Sequence, residues 1–254
     1  MSGLLSLAAG SLAAGPLAAG SDPVIPDFGT VSSCVRDNGV FCVDWFTSNF
    51  SSVFGPALVQ HVRLTVIAVG IGFLIAFPLA LLAHFRKWLV RPLGGLTSFL
   101  YTIPPMALFT LLVPVSGLSV LTAEIALVAY TLMVLFKSTV TGLGEVPDDV
   151  RRAGVGMGLT RREVLWRIEL PLALPAVISG LRVATVTTIS VVEIAAFIID
   201  QGLGSPIIQG LQSPFNTQFI GAGLLAVALA LAADGLLVLL GRVPTPWART
   251  RRTV

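Results

Sequence analysis

The chain has 254 residues, of which 16 are Lys or Arg and 13 are Asp or Glu. Charged residues make up 11% and hydrophobic ones 55%, where a soluble domain carries about 25% charge. Such a chain cannot cover itself with a polar skin, and it is too apolar to be collagen-like, coiled-coil or disordered. The composition predicts an all-α, polytopic membrane protein.

A net charge of +3 does not point to nucleic acid, because basic residues in a membrane protein report orientation. Residues 1–57 are read as a tail outside the membrane. Leu7-Ala8-Ala9-Gly10, Leu12-Ala13-Ala14-Gly15 and Leu17-Ala18-Ala19-Gly20 form a five-residue repeat. It resembles the apolar core of a signal peptide, but no basic stretch precedes it. A loosely structured or interface-lying tail is expected, against an extra short helix or a cleaved signal. Cys34 and Cys42 flank Asp37-Asn38-Gly39, a turn signal that would bring them together. They are either a local disulfide or two reduced thiols. Two Cys and the isolated His61 and His84 offer no metal site. Trp45, Phe46, Phe50 and Phe54 recur at helical spacing and predict a short amphipathic helix at the outer interface.

A bilayer core needs about 20 helical residues. Five spans are expected within a permease core at 58–241: Leu64 to Ala83, then roughly 95–114, 119–137, 172–199 and 218–240. The second is interrupted at Ile103-Pro104-Pro105. With alternating spans, Arg86, Lys87 and Arg91 fall on the same side as the six basic residues of 137–170. The four in the tail 242–254 share that side, and only Arg36 lies opposite. This bias predicts the N-terminus outside and the C-terminus in the cytoplasm of a cell membrane.

The richest charged stretch runs from Glu145 to Pro171. Pro147-Asp148-Asp149 starts a helix with acids at its positive pole, and Gly158 stops it. Thr160 and Glu163 form a capping-box pattern for a second helix, and Pro171 begins the next span. Two short amphipathic helices therefore project into the cytoplasm. Val150, Val155, Met157, Leu159, Val164, Leu165, Trp166 and Ile168 give them more apolar surface than a solvated loop would carry, so a partner should dock there.

Gly158, nine residues, then Ile168-Glu169-Leu170-Pro171 is similar to the signature of binding-protein-dependent ABC importer permeases, E-A-A-x3-G-x9-I-x-L-P. The first triplet falls on Arg152-Ala153-Gly154, which keeps only the middle Ala and replaces Glu by Arg. Thr102-Ile103-Pro104-Pro105-Met106-Ala107, Gly156-Met157-Gly158-Leu159-Thr160, Gly180-Leu181-Arg182 and Gly202-Leu203-Gly204 look like the osmoprotectant subfamily, whose solutes are glycine betaine, carnitine and choline. The resemblance covers roughly 55–247. It implies a type I, methionine-permease-like fold with a coupling-helix pair inserted in a cleft of a separate ATPase. It also implies two such ATPases carrying ATP and Mg, a second permease subunit, identical or a sister chain, and an extracytoplasmic binding protein that holds the recognition site. The coupling contacts would come from Asp148, Asp149, Arg151, Arg152, Ala153, Gly154, Met157, Gly158, Leu159, Thr160, Ile168, Leu170 and Pro171. This chain would bind no cofactor itself.

Arg182, Glu193, Glu124 and Asp234 lie within predicted spans, where an unpaired charge costs at least ~2–3 kcal/mol. Arg182 and Glu193 are eleven residues apart, about 20° off one helical face and about 16 Å along it. With Ser179 and Thr185 they are expected to line the solute path, while Asp234 and Glu124 are read as structural. The loop 200–217 reads as a docking lip for a binding protein or a plain connector. The alternatives are a permease for another small solute such as an amino acid or, from a different class, an intramembrane enzyme or an ATP-independent carrier. Ser190 and Glu193 make a poor catalytic dyad, neither His lies deep in a span, and no inverted repeat is evident. The chain lacks a G-x4-G-K-[ST] motif to power itself.

Overall fold

A computed structural model describes residues 32–242. The described residues form helices and connecting turns without strands. Two short helices, α1 (Ser33–Arg36) and α2 (Val43–Ser48), precede a wide helical turn at Phe50–Phe54 that runs into α3 (Gly55–Phe85). Then follow α4 (Val90–Thr102), α5 (Pro105–Ser116), α6 (Val120–Gly144), α7 (Asp148–Gly156) and α8 (Arg161–Val164). A second wide turn, Leu165–Glu169, leads into α9 (Leu170–Ile199), and α10 (Gly204–Gln212) and α11 (Asn216–Arg242) complete the chain. The Leu-Ala-Ala-Gly repeats and Arg249, Arg251 and Arg252 lie outside the described residues.

Among the described residues, four continuous helical stretches are long and apolar enough to cross a bilayer: Phe50–Phe85, Val120–Gly144, Arg161–Ile199 and Asn216–Arg242. The expected second stretch at 95–114 is broken at the expected interruption, into two helices, α4 and α5, that meet at 96°. Pro104 forces Ile103 into an extended conformation, with ψ 127°, and neither Pro104 nor Pro105 has an N–H to continue the helix. The freed Ile103 carbonyl accepts the Tyr130 hydroxyl of α6, so the elbow is satisfied without water, as an apolar medium demands. The second arm of the expected helix pair is likewise not separate. From Arg161 it continues through Pro171 into the membrane as one rod, because the wide turn at Leu165–Glu169 accommodates the irregularity before the proline.

The centre is α6, flanked by α3 running parallel and α9 running antiparallel. Lipid provides no hydrophobic drive between helices, so association depends on close backbone approach. A Cβ on Gly72 would stand 1.8 Å from Thr131 Oγ1, and one on Gly180 would stand 1.8 Å from Ser138 Oγ. Ala68, Ala76, Ala80, Ala123, Ala126, Ala184 and Ala195 fill the rest of the seams, and Phe109, Leu127 and Phe136 fill the wider gaps.

At one end of this bundle, Cys34 and Cys42 are disulfide-bonded, with Cα atoms 5.8 Å apart and Asn38 at φ 47° in the turn between them. That turn is clasped to the start of α11. Asn38 Nδ2 donates to the Pro214 carbonyl at 2.7 Å, and Asn216 N–H donates back to Asn38 Oδ1 at 3.0 Å. The expected interfacial helix does not lie free. Phe46 packs on Phe54 at 4.7 Å and against Gly221 of α11, and Trp45 meets Phe215 edge-on at 4.7 Å. The connector 200–217 is also more than a loop. His61 Nε2 donates to the Ile189 carbonyl at 3.0 Å, and its Nδ1 accepts the Leu203 N–H at 3.2 Å. Gln60 accepts the Gly202 N–H at 3.1 Å. One buried imidazole thus ties α3, α9 and the approach to α10.

Candidate functional site: a braced hairpin and an ion pair between helices

The hairpin between α6 and α9 starts at Pro147, whose ψ of 139° turns the chain into α7. Asp148 and Asp149 occupy the first turn, near the positive pole. Asp148 accepts from Arg151 Nη1 at 2.7 Å, and Asp149 pairs with Arg152. Gly158, at φ 87°, reverses the chain, a conformation that L side chains rarely adopt. Thr160 and Glu163 then close a complete capping box. The Thr160 N–H, and after it the Thr160 hydroxyl, hold the Glu163 carboxyl below its ordinary value. The cap's contribution is therefore complete at neutral pH and is lost only as acid protonates Glu163 below that ordinary range.

The two arms touch where a side chain is missing. A Cβ on Gly154 would lie 2.7 Å from Ile168 Cδ1 and 3.2 Å from Val164 Cγ2. Beside this contact, Arg151 makes three bonds: Nε to Glu169 Oε1 at 2.6 Å, Nη1 to Asp148, and Nη2 to the Leu143 carbonyl of α6 at 2.6 Å. The second oxygen of Glu169 lies 2.7 Å from His84 Nε2, at the end of α3. Glu169 is buried, its side chain 6% exposed. A cavity of about 750 Å³ opens alongside, lined among others by His84, Lys87, Arg151, Arg152, Arg161 and Glu169.

The thirteen residues expected to make coupling contacts therefore divide. Asp148, Asp149, Arg152, Ala153, Met157, Gly158 and Thr160 face outward. Arg151, Gly154, Leu159, Ile168, Leu170 and Pro171 are wholly or partly covered and hold the hairpin in shape. The apolar surface is also smaller than the sequence implies, because Val164 and Leu165 are buried, Leu165 with Leu143 and Ala173. Met157 at 73% exposure, Val155 and Trp166 at 57% each, and Val150 remain open. His84 and Glu169 escape the sequence reading: they are 85 residues apart, and no spacing pattern links them.

Within the membrane region, Arg182 donates from Nε and Nη2 to the two oxygens of Asp234 at 2.8 Å each, joining α9 to α11. Asp234, read as a separate structural group, is thus the partner of a residue assigned to the path. Both side chains remain about a third exposed, 36% and 35%. Ser179, Val183, Ser190 and Phe197 form an open face of α9, with Arg182 and Glu193 along its margin. Among the described residues no side-chain hydrogen bond involves Glu193. Thr185 departs from this stripe. It sits about 60° further round the helix than Arg182, donates to the Leu181 carbonyl, and borders an apolar cavity of about 460 Å³ between α3, α9 and α11. Glu124 is buried with both oxygens unpartnered among the described residues. No group of three His, Cys, Asp or Glu side chains among them could hold a metal ion.

This architecture, apolar helices around a central α6 with one braced hairpin at their end, is that of a transport permease. Residues 52–243 match the family described as "Binding-protein-dependent transport system inner membrane component", and the chain belongs to that family. It is similar to the osmoprotectant import permease protein OsmW of Salmonella typhimurium, 38% identical over 192 residues, covering 74% of this chain and 89% of that protein. It is also similar to the choline transport system permease protein OpuBD of Bacillus subtilis, 33% identical over 216 residues, covering 84% and 90%. Among solved structures, the inward-facing methionine ABC transporter MetNI superposes with a TM-score of 0.66 at 19% identity over 74% of this chain and 94% of that one. The fold is therefore that of a type I ABC importer permease, and the chain is a transporter subunit whose type works with a separate ATPase.

Proposed function

We propose that this protein is the permease subunit of an ATP-driven importer for a quaternary ammonium osmolyte of the glycine betaine, choline and carnitine class. The observation that carries the reading is the hairpin. Its outward face, with Val155, Met157 and Trp166 exposed beside Arg152 and Ala153, has the chemistry of a docking surface, while its inward face is braced to three long helices. It would enter a cleft on an ATPase that holds ATP and Mg, and nucleotide-driven closure there would move it. Relatives named for osmoprotectant and choline import support the solute class.

The hairpin and basic tail would then face the cytoplasm, with the disulfide outside. The open face of α9, carrying Ser179 and Glu193, would face a second permease subunit and, with it, enclose the path. A solute leaving its extracytoplasmic binding protein would meet the Glu193 carboxylate as the unpaired charge of that face, because the Arg182 charge is answered by Asp234. A single carboxylate attracts a trimethylammonium head without holding it tightly, which suits passage more than storage. Thr185 turns away from the path and is not assigned to it.

The test is to purify the permease with its cognate ATPase and binding protein, reconstitute them in liposomes, and follow radiolabelled choline, glycine betaine and carnitine. ATP-dependent uptake of at least one, and a several-fold change in its uptake kinetics on Glu193→Gln with assembly intact, are expected. Failure of the ATPase to copurify would defeat the reading.

A further inference from the structure

Glu169 is the residue at which the loads on the hairpin meet. Its two oxygens are divided between elements distant in sequence: Oε1 takes Arg151 of α7 at 2.6 Å, and Oε2 takes His84 at the end of α3 at 2.7 Å. Arg151 extends the junction to α6 through the Leu143 carbonyl, and Glu169 itself stands at the root of α9. Four helices are thus linked around one buried carboxylate, and the charge-assisted Arg151–Glu169 hydrogen bond among these contacts is short and strong. Steric contact supplies only part of this bracing. The Gly154–Ile168 contact ties α7 to the root of α9 but does not reach α3.

We propose that Glu169 and His84 are positioning residues for energy coupling. In this arrangement the His84–Glu169 contact, 2.7 Å between Nε2 and Oε2, makes α3 move with the coupling helix instead of leaving α9 to respond alone. The inference rests on the transport reading above and goes beyond it. That reading requires a docking surface, whereas this one assigns the transmission of movement to a contact behind that surface, between His84 and the buried Glu169. The chemical requirement is a polar nitrogen at residue 84 that reaches the Glu169 carboxylate. A glutamine there presents an amide N–H from a similar reach, while a leucine fills the space and presents none.

The test uses the complete reconstituted transporter and counts solute imported per ATP hydrolysed. His84→Leu should lower that ratio about fivefold or more, within the range of ordinary coupling energies, with ATPase binding and basal hydrolysis retained. His84→Gln should restore most of it. A wild-type ratio in His84→Leu, or equal loss in both variants, would overturn the proposal. If His84→Leu fails to assemble, wild-type geometry answers instead. Spin labels at Trp88, beyond the end of α3, and at Arg162, on α8, should keep one distance through the apo, ATP-bound and ADP-bound states. A distance that changes between those states overturns the proposal. Absence of ATP-driven uptake in the wild-type complex would instead defeat the functional reading, and the spin-label distance alone would then decide whether the junction moves as one body.

Discussion

Arg182 and Asp234 meet in a two-pronged ion pair that joins α9 to α11. Each would be an unanswered charge in a predicted span without the other, and each side chain retains a third of its exposure. Substituting one partner alone leaves the other charge uncompensated, which is worse than removing both. Asp234→Asn and Arg182→Met are each expected to lower the melting temperature of the detergent-solubilised protein, and the double variant to recover part of the loss. Additive losses in the double variant, measured by thermal unfolding, would show that the pair does not couple the helices.

Helix spacing at the core is fixed by hydrogen atoms in place of side chains. A methyl at Gly180 would sit 1.8 Å from Ser138 Oγ and 2.4 Å from Ser138 Cβ, so rotation of the serine cannot relieve it. Gly180→Ala should destabilise the protein by about 1–3 kcal/mol, and adding Ser138→Gly should return most of that stability. Denaturation curves of the two variants decide the matter.

Gly158 has φ 87° with nothing within 4 Å of a prospective Cβ. Crowding is therefore irrelevant there, and the cost of a side chain is conformational, on the order of 1–3 kcal/mol for a strained backbone. Gly158→Val should uncouple ATP hydrolysis from uptake, while Gly158→Asn, which tolerates this conformation better, should retain more. Uptake per ATP in proteoliposomes that ranks valine equal to asparagine would contradict this.

The Cys34–Cys42 bond closes a short loop, for which chain-entropy arguments give about 2–3 kcal/mol. Reduction and alkylation should add mass at two thiols, while the native protein takes up no alkylating agent. Cys34→Ser with Cys42→Ser should lower the thermal midpoint but leave uptake near wild type, since the Asn38–Asn216 clasp remains. Loss of transport in the double serine variant would assign the bond more than stability.

Periodicity and charge made much of this architecture readable. Long apolar runs identify α3, α6, α9 and α11 because membrane helices have to satisfy their backbones internally. The caps of the hairpin are local chemistry, so Pro147, Asp148, Thr160 and Glu163 reveal them directly. Tertiary pairing was less accessible. Nothing near Arg182 in sequence points to Asp234, fifty-two residues on, and nothing near His84 points to Glu169. The angle at Ile103 was also hidden: two prolines announce a break, but its 96° is set by how α4 and α5 pack on α6. Val164 and Leu165 were misread as open surface because α8 continues into α9, which carries their side chains into the core.

The unbroken run from Arg161 to Ile199 has 39 residues, which at about 1.5 Å per residue makes a rod of about 58 Å. Only about 30 Å of that is needed to traverse hydrocarbon. The remainder extends past that thickness, its Val164, Leu165 and Glu169 packed into the hairpin, and a stalk rigidly continuous with a span magnifies angle into distance. Tilting its base by about 10° would sweep the far tip through about 10 Å, the width of a helix with its side chains. A modest squeeze below could thus open or shut a passage the size of a small molecule above, with no helix having to unwind.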